Sequence, residues 1–199
     1  MTAGPSLHIA RDSTGVDIDA AERAAASFLA ALGIDVEHED LQETPARMAR
    51  AYAELFSSAP LRLTTFANDE GYDELVLARS IPFRTVCEHH LLPFSGVAHV
   101  GYLPGERIVG LSKLARLVEH FAARPQVQER LTKQVADWLH DQLDPRGVGV
   151  VIEAEHLCMT LRGVQATGTR TLTSTLLGTL RTDPRSRAEF LALTSRSAT

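Results

Sequence analysis

Polar and apolar residues follow no period over residues 1–15, a stretch mixing Gly, Pro, Ser, Thr and charge that is expected to form a mobile tail. Helical spacing begins after it. Asp19, with Glu22 three positions on, has the pattern of an N-terminal cap; an alanine-rich run to Leu32 follows, and Gly33 suits the left-handed residue that ends a helix. Thr44-Pro45 restarts a helix in which Met48, Ala51, Tyr52, Leu55 and Phe56 form an apolar face opposite Arg47 and Arg50. From Glu74 the period shortens to that of strands. Leu75 to Leu77, Ile81 to Val86 and Val97 to Tyr102 read as three strands, and Pro104-Gly105-Glu106 marks a turn before Arg107 to Gly110. Ser112 is placed to cap a helix with Leu114, Leu117, Val118 and Phe121 on one face, interrupted at Pro125. A second helix from Val127 carries Leu131, Val135, Trp138 and Leu139. Strands at Val148 to Ile152 and Thr169 to Leu177 follow, and Asp183-Pro184 opens a last helix that docks through Phe190, Leu191 and Leu193. Helices, antiparallel strands, paired helices, strands and helix in that order predict an α+β fold.

Composition narrows the picture. A chain of 199 residues, 44% hydrophobic and 23% charged, fits one globular domain with a sizeable core. A formal charge of −5 carries no electrostatic footprint for nucleic acid or an anionic membrane, so any anion site must be a local basic cluster. The first residues contain no apolar run of the signal-sequence kind, and no segment has the length of a membrane span, which predicts a cytosolic protein.

The chemistry concentrates in Phe83 to Phe94, where Cys87-Glu88-His89-His90 places a thiol, a carboxylate and two imidazoles in four consecutive positions between apolar flanks. The second cysteine, Cys158, lies two residues after His156 at the apparent end of a strand. Two positions separate Cys87 from His90, so one tight turn can aim both at a point that Cys158 could complete as a Cys2His set. Three protein ligands with a fourth position open is the usual layout of a catalytic zinc site. Two buried core cysteines, or one disulfide, remain as alternatives, since a single C-x-x-H is a weak signal. A reducing cytosol disfavours the disulfide.

Five stretches stand out: Thr44-Pro45-Ala46-Arg47, Cys87-Glu88-His89-His90, Gly110-Leu111-Ser112-Lys113-Leu114-Ala115-Arg116, Arg124-Pro125-Gln126-Val127-Gln128-Glu129-Arg130 and His156-Leu157-Cys158-Met159-Thr160-Leu161-Arg162-Gly163. Taken together they resemble the GTP cyclohydrolase I family. The resemblance runs from Leu41 to Leu193 and implies one domain over 1–199, with an N-terminal helical part at 16–60 and a catalytic part of the tunnelling fold at 74–195. It further implies antiparallel sheets pooled between subunits into a barrel, in a homodecamer with active sites between subunits. The implied reaction is zinc-dependent conversion of GTP and water to 7,8-dihydroneopterin triphosphate and formate. Carried over residue by residue, Cys87, His90 and Cys158 match the zinc ligands, and His89 and His156 the proton-moving histidines. Gln128 and Glu129 match the guanine anchor, Lys113, Arg116 and Arg162 the triphosphate clamp, Arg47 a contributor from another subunit, and Ser112 a serine near the ribose. A carboxylate at Glu129, buried with its ligand, would meet the adjacent N1–H and 2-amino donors of guanine. The segment Val164 to Thr169 departs from the family by lacking its lysine-proline-glycine run. A zinc nucleobase deaminase would need H-x-E followed by P-C-x-x-C, and neither occurs. A non-catalytic pterin-binding or purine-binding relative would have no need of the full Cys and His set.

Overall fold

Two helices precede the strands. They belong to the first of two compact units, into which a computed structural model, describing residues 15–195, divides after Ser57. Apart from Gly15, the expected tail lies outside the described residues. The first helix, α1, runs Ile18–Ala31 and is capped by Asp17, whose carboxylate accepts the Ala20 N–H at 2.8 Å. The cap expected at Asp19 therefore sits two residues earlier. Asp17 is the residue with extended backbone, while Asp19 already lies in the first turn, where its charge complements the helix dipole. At the other end Gly33, with φ +79°, donates to the Ala30 carbonyl and Ile34 to that of Leu29, the paired bonds of a Schellman ending. The second helix, α2, runs Thr44–Leu55 with Pro45 in its first turn. It buries Pro45, Ala46 and Ala49, and leaves Met48, Tyr52, Leu55 and Phe56 half-buried and Ala51 exposed. The expected face is thus rotated towards the small residues, which let α1 and α2 approach closely.

The second unit opens with β1 (Thr65–Ala67), β2 (Val76–Cys87), β3 (Pro93–Leu103) and β4 (Arg107–Val109). Helix α3 (Leu111–Ala122), the short β5 (Pro125–Gln126) and helix α4 (Gln128–Leu143) come next. Then follow β6 (Gly147–His156), the single turn α5 (Leu157–Thr160), β7 (Thr171–Gly178), α6 (Thr179–Thr182) and α7 (Pro184–Ser195). Five strands make one sheet in the order β5-β2-β3-β6-β7, antiparallel except where β5 joins β2; β1 and β4 form a separate pair. The architecture is α+β, as expected.

Helices α3 and α4 cover one face of the large sheet. Leu114, Leu117, Val118, Leu131, Val135 and Leu139 are completely buried against Phe94, Ala98, Val100, Val148, Val150 and Ile152. Each such side chain contributes about 1.5–3 kcal/mol relative to exposure. On the other face Leu180 and Phe190 pack with Leu103, Val151 and Leu176. Gly149 makes room for this, since a Cβ there would meet the Phe190 ring at 2.7 Å.

Several elements differ from the expectation. The two strands read at 75–77 and 81–86 are one, bent by a bulge between Ala78 and Ile81 where Ser80 has φ +55°. Ser112 does not cap α3; Gly110 occupies that position without a side-chain bond. Of the three residues expected to dock the last helix, Phe190 is buried and Leu193 half-buried, while Leu191 points outward.

One topological fact positions the site. β2 and β6 flank β3 and both run antiparallel to it, so both end beside its beginning; Val86 pairs with Pro93, and Phe94 with His156. The segments after β2 and after β6 therefore emerge together.

Candidate metal centre

After β2 the chain reverses at once. The N–H groups of His90 and Leu91 donate to the Cys87 carbonyl at 3.3 and 2.8 Å, Cys87 N–H donates to the Leu92 carbonyl at 2.9 Å, and Leu91 takes a positive φ of 52° to close the turn. After β6, the turn α5 raises Cys158 from the other side of β3. As a result one ligand atom each from Cys87, His90 and Cys158 lies within 4.8 Å of the other two. Both cysteines are free, which removes the disulfide alternative.

The set fits a tetrahedral metal ion. Cys87 Sγ is 3.7 Å from His90 Nδ1. An ion about 2.3 Å from sulfur and about 2.1 Å from nitrogen would hold two tetrahedral ligands roughly 3.6 Å apart. Burial, and then the adjacent Cys87 sulfur, push the Cys158 thiol pKa up, while Arg162 pulls it down. A divalent cation between the sulfurs would oppose both upward effects, because the thiolate is the ligand form.

Two further histidines flank the cluster. His156 stacks on Phe94, and its Nε2 lies 2.7 Å from Gln128 Oε1. Burial pushes its pKa below the usual histidine range, with the charge of Glu129 acting in the opposite sense. His89 is exposed, with Nε2 3.7 Å from Glu88 Oε1, and its ring meets that of His90 edge to face. Glu88 in turn pairs with Arg130 of α4, and Arg130 Nε donates to Gln126 Oε1 at 3.0 Å. The buried Gln126 amide donates to the Phe121 carbonyl and to Gln134 Oε1, both at 2.8 Å. This network braces the turn against the start of α4. Sequence reasoning missed it, and missed the role of Phe94, because both depend on strand register; the only local signal is the density of polar side chains around Val127.

The remaining candidates divide. Gln128 is buried and Glu129 exposed in the first turn of α4. Lys113 and Arg116 line a cavity of about 480 Å³ together with Ser58, Arg62, Glu119 and His120. Neither cysteine nor His156 lines it. Ser112 is exposed beside Lys113, and Arg162 is exposed beyond α5. Arg47 is exposed on α2 in the first unit.

Residues 21–195 match the sequence profile of a family described as GTP cyclohydrolase I. A GTP cyclohydrolase 1 of Rhodopirellula baltica is 52% identical over 186 residues, covering 92% of this chain and 81% of that one. One from Mycobacteroides abscessus is 54% identical over 182 residues, with 89% of each chain covered. Another, from Mycobacterium leprae, is 51% identical over 201 residues, covering 96% of this chain and 98% of its own.

Proposed function

From the chain's place in the GTP cyclohydrolase I family, to which it belongs, we infer the work of each part of the site. The enzyme is a hydrolase that converts GTP and water to 7,8-dihydroneopterin triphosphate and formate. Water adds at guanine C8 and opens the imidazole ring, a second water releases C8 as formate, and the ribose carbons close the new ring with loss of one water, so that one water is consumed overall. The observation that carries the assignment of the centre is the convergence of Cys87, His90 and Cys158 from two strand ends.

In this reading those three residues hold a zinc ion, which when bound supplies a water made acidic enough, with a pKa near about 7, to act as nucleophile at neutral pH. His156 moves protons during ring opening, held in place by Phe94, and His89 serves as the second, solvent-facing proton carrier. Glu129 is assigned the guanine edge, as its two oxygens suit the two adjacent donors. Lys113 and Arg116 take the triphosphate at their shared cavity, with Arg162 completing the clamp and Arg47 reaching a neighbouring subunit's site. Gathering cations locally reconciles a polyanionic substrate with an acidic chain. Ser112 lies by the ribose.

We further propose one domain of the tunnelling fold, with 16–60 its helical part and 74–195 its catalytic part, assembled as a barrel-forming homodecamer. The support is the outer edge of β7, which among the described residues pairs on one side only and carries the exposed Leu172. Among the described residues no helix is long and apolar enough to cross a membrane. The cytoplasm is the proposed compartment, because there the thiols stay reduced for metal.

Incubation with GTP and zinc tests the function: formate and a dihydropterin triphosphate, identified by absorbance and mass, are expected. Absence of formate overturns the reading. Light scattering tests the assembly, and a monomer at working concentration excludes it.

A further inference from the structure

We propose that Gln128 is a positioning residue that fixes the tautomer of His156, with the proton on Nε2 and the lone pair on Nδ1. The inference rests on the proton-moving role given to His156 above. It also differs from the resemblance, in which Gln128 contacts guanine.

The side chain of Gln128, 1% exposed, reaches from the first turn of α4 to the seam between β6 and β7. Its Nε2 lies 3.1 Å from the Ile152 carbonyl, 2.9 Å from the Thr171 carbonyl and 3.1 Å from Thr173 Oγ1. Two of these partners are carbonyls and can only accept. The third is driven to accept as well: Thr132 Oγ1 donates to the Gln128 backbone carbonyl at 2.8 Å, so at its 2.6 Å contact with Thr173 the Thr132 hydroxyl receives and Thr173 donates. Thr173 is left with only lone pairs for Gln128. Turning the carboxamide over would set its oxygen against three acceptors, which excludes the flipped assignment.

The orientation of the amide decides that of the imidazole. Oε1 has no hydrogen to give, so at 2.7 Å from His156 Nε2 it accepts, and Nε2 carries the proton. The neutral ring then has its lone pair on Nδ1. Stacking on Phe94 holds the ring plane against rotation about that bond. Because both amide hydrogens of Gln128 are committed to protein acceptors, its side chain has no donor left for a base.

The direct test is magic-angle-spinning NMR of the zinc-loaded protein labelled with 15N-histidine, at a pH above the histidine range, with the His156→Asn variant assigning the resonance. A protonated Nε2 and bare Nδ1 are expected; a protonated Nδ1 overturns the proposal, whatever the substrate proves to be. The kinetic test is Gln128→Met, which keeps length and loses the acceptor. Loss of tautomer control is expected to lower kcat about 10²-fold or more, with KM for GTP and zinc content unchanged. A raised KM with unchanged kcat would make Gln128 a substrate anchor and sink the idea. Should Gln128→Met fail to fold, the wild-type spectrum decides alone. A wild-type protein that releases no formate would instead defeat the functional reading while leaving the spectrum interpretable.

Discussion

Phe94 lies flat against His156, with ring centroids 4.3 Å apart and planes inclined by 9°. The strand ladder causes this, since β3 and β6 set the two residues directly opposite one another and side chains so paired share a face. Phe83 meets Phe94 edge-on at 6.0 Å and stops the ring from sliding. Phe94→Leu keeps an apolar filler and removes the stack. We expect a stability loss of about 1–3 kcal/mol, zinc retained, and kcat reduced roughly tenfold, less than the roughly 10²- to 10⁴-fold that the proton carrier itself supplies, because the ring is loosened and not removed. Thermal melting, metal analysis and steady-state kinetics check it; an unchanged kcat would mean the stack orients nothing.

Removing a ligand should act on metal first. Cys87→Ser, Cys158→Ser and His90→Ala are each expected to lower zinc from about one ion per chain, since a mononuclear site of this type needs three protein ligands. His156→Ala should keep zinc and lose turnover by about 10²- to 10⁴-fold. Equal zinc loss in His156→Ala and His90→Ala would refute the division of roles.

His99 makes stability depend on pH. It is 6% exposed, and its Nδ1 accepts the Ser80 N–H at 3.3 Å, which requires an unprotonated nitrogen. Burial, then the charge of Arg79, push its pKa below 6.5, against a smaller opposing effect of Glu153. The unfolded chain therefore binds this proton more readily, and stability falls as pH drops below 6.5 until the folded pKa is passed. His120 and His156 are shifted the same way, chiefly by burial, and add to the slope. Melting temperatures of wild type and His99→Gln, taken between about pH 7.5 and pH 5.5, should show a shallower fall in the variant; parallel curves would exclude His99 as a contributor.

Glu129 should govern the choice of base. Glu129→Gln preserves shape but exchanges one acceptor for a donor. A lost charge-assisted bond with an unpaired donor left behind costs about 3 kcal/mol, or about 10²-fold in kcat/KM for GTP. Zinc content and assembly should not change. Near-wild-type kcat/KM would place the guanine contact elsewhere.

What the sequence determined by itself was local. The apolar stripes of α3 and α4 are legible because a buried helix face repeats every three to four residues, and Leu114, Leu117, Leu131 and Leu139 keep that period. The turn joining Cys87 to His90 is equally local, as is the Gly33 helix ending. Elements without a period escaped: α5 and α6 have four residues each, and the polar pair Arg79-Ser80 interrupts alternation at the bulge, so that one strand reads as two. Tertiary structure alone decided the company each side chain keeps. Cys158 reaches Cys87 because β2 and β6 flank β3 in one register, and a slip of one residue would turn Phe94 and His156 to opposite faces. Gln128 faces His156 and Glu129 faces solvent although they are neighbours on one turn, because successive helical residues point about 100° apart and only packing on β6 and β7 selects which turns inward.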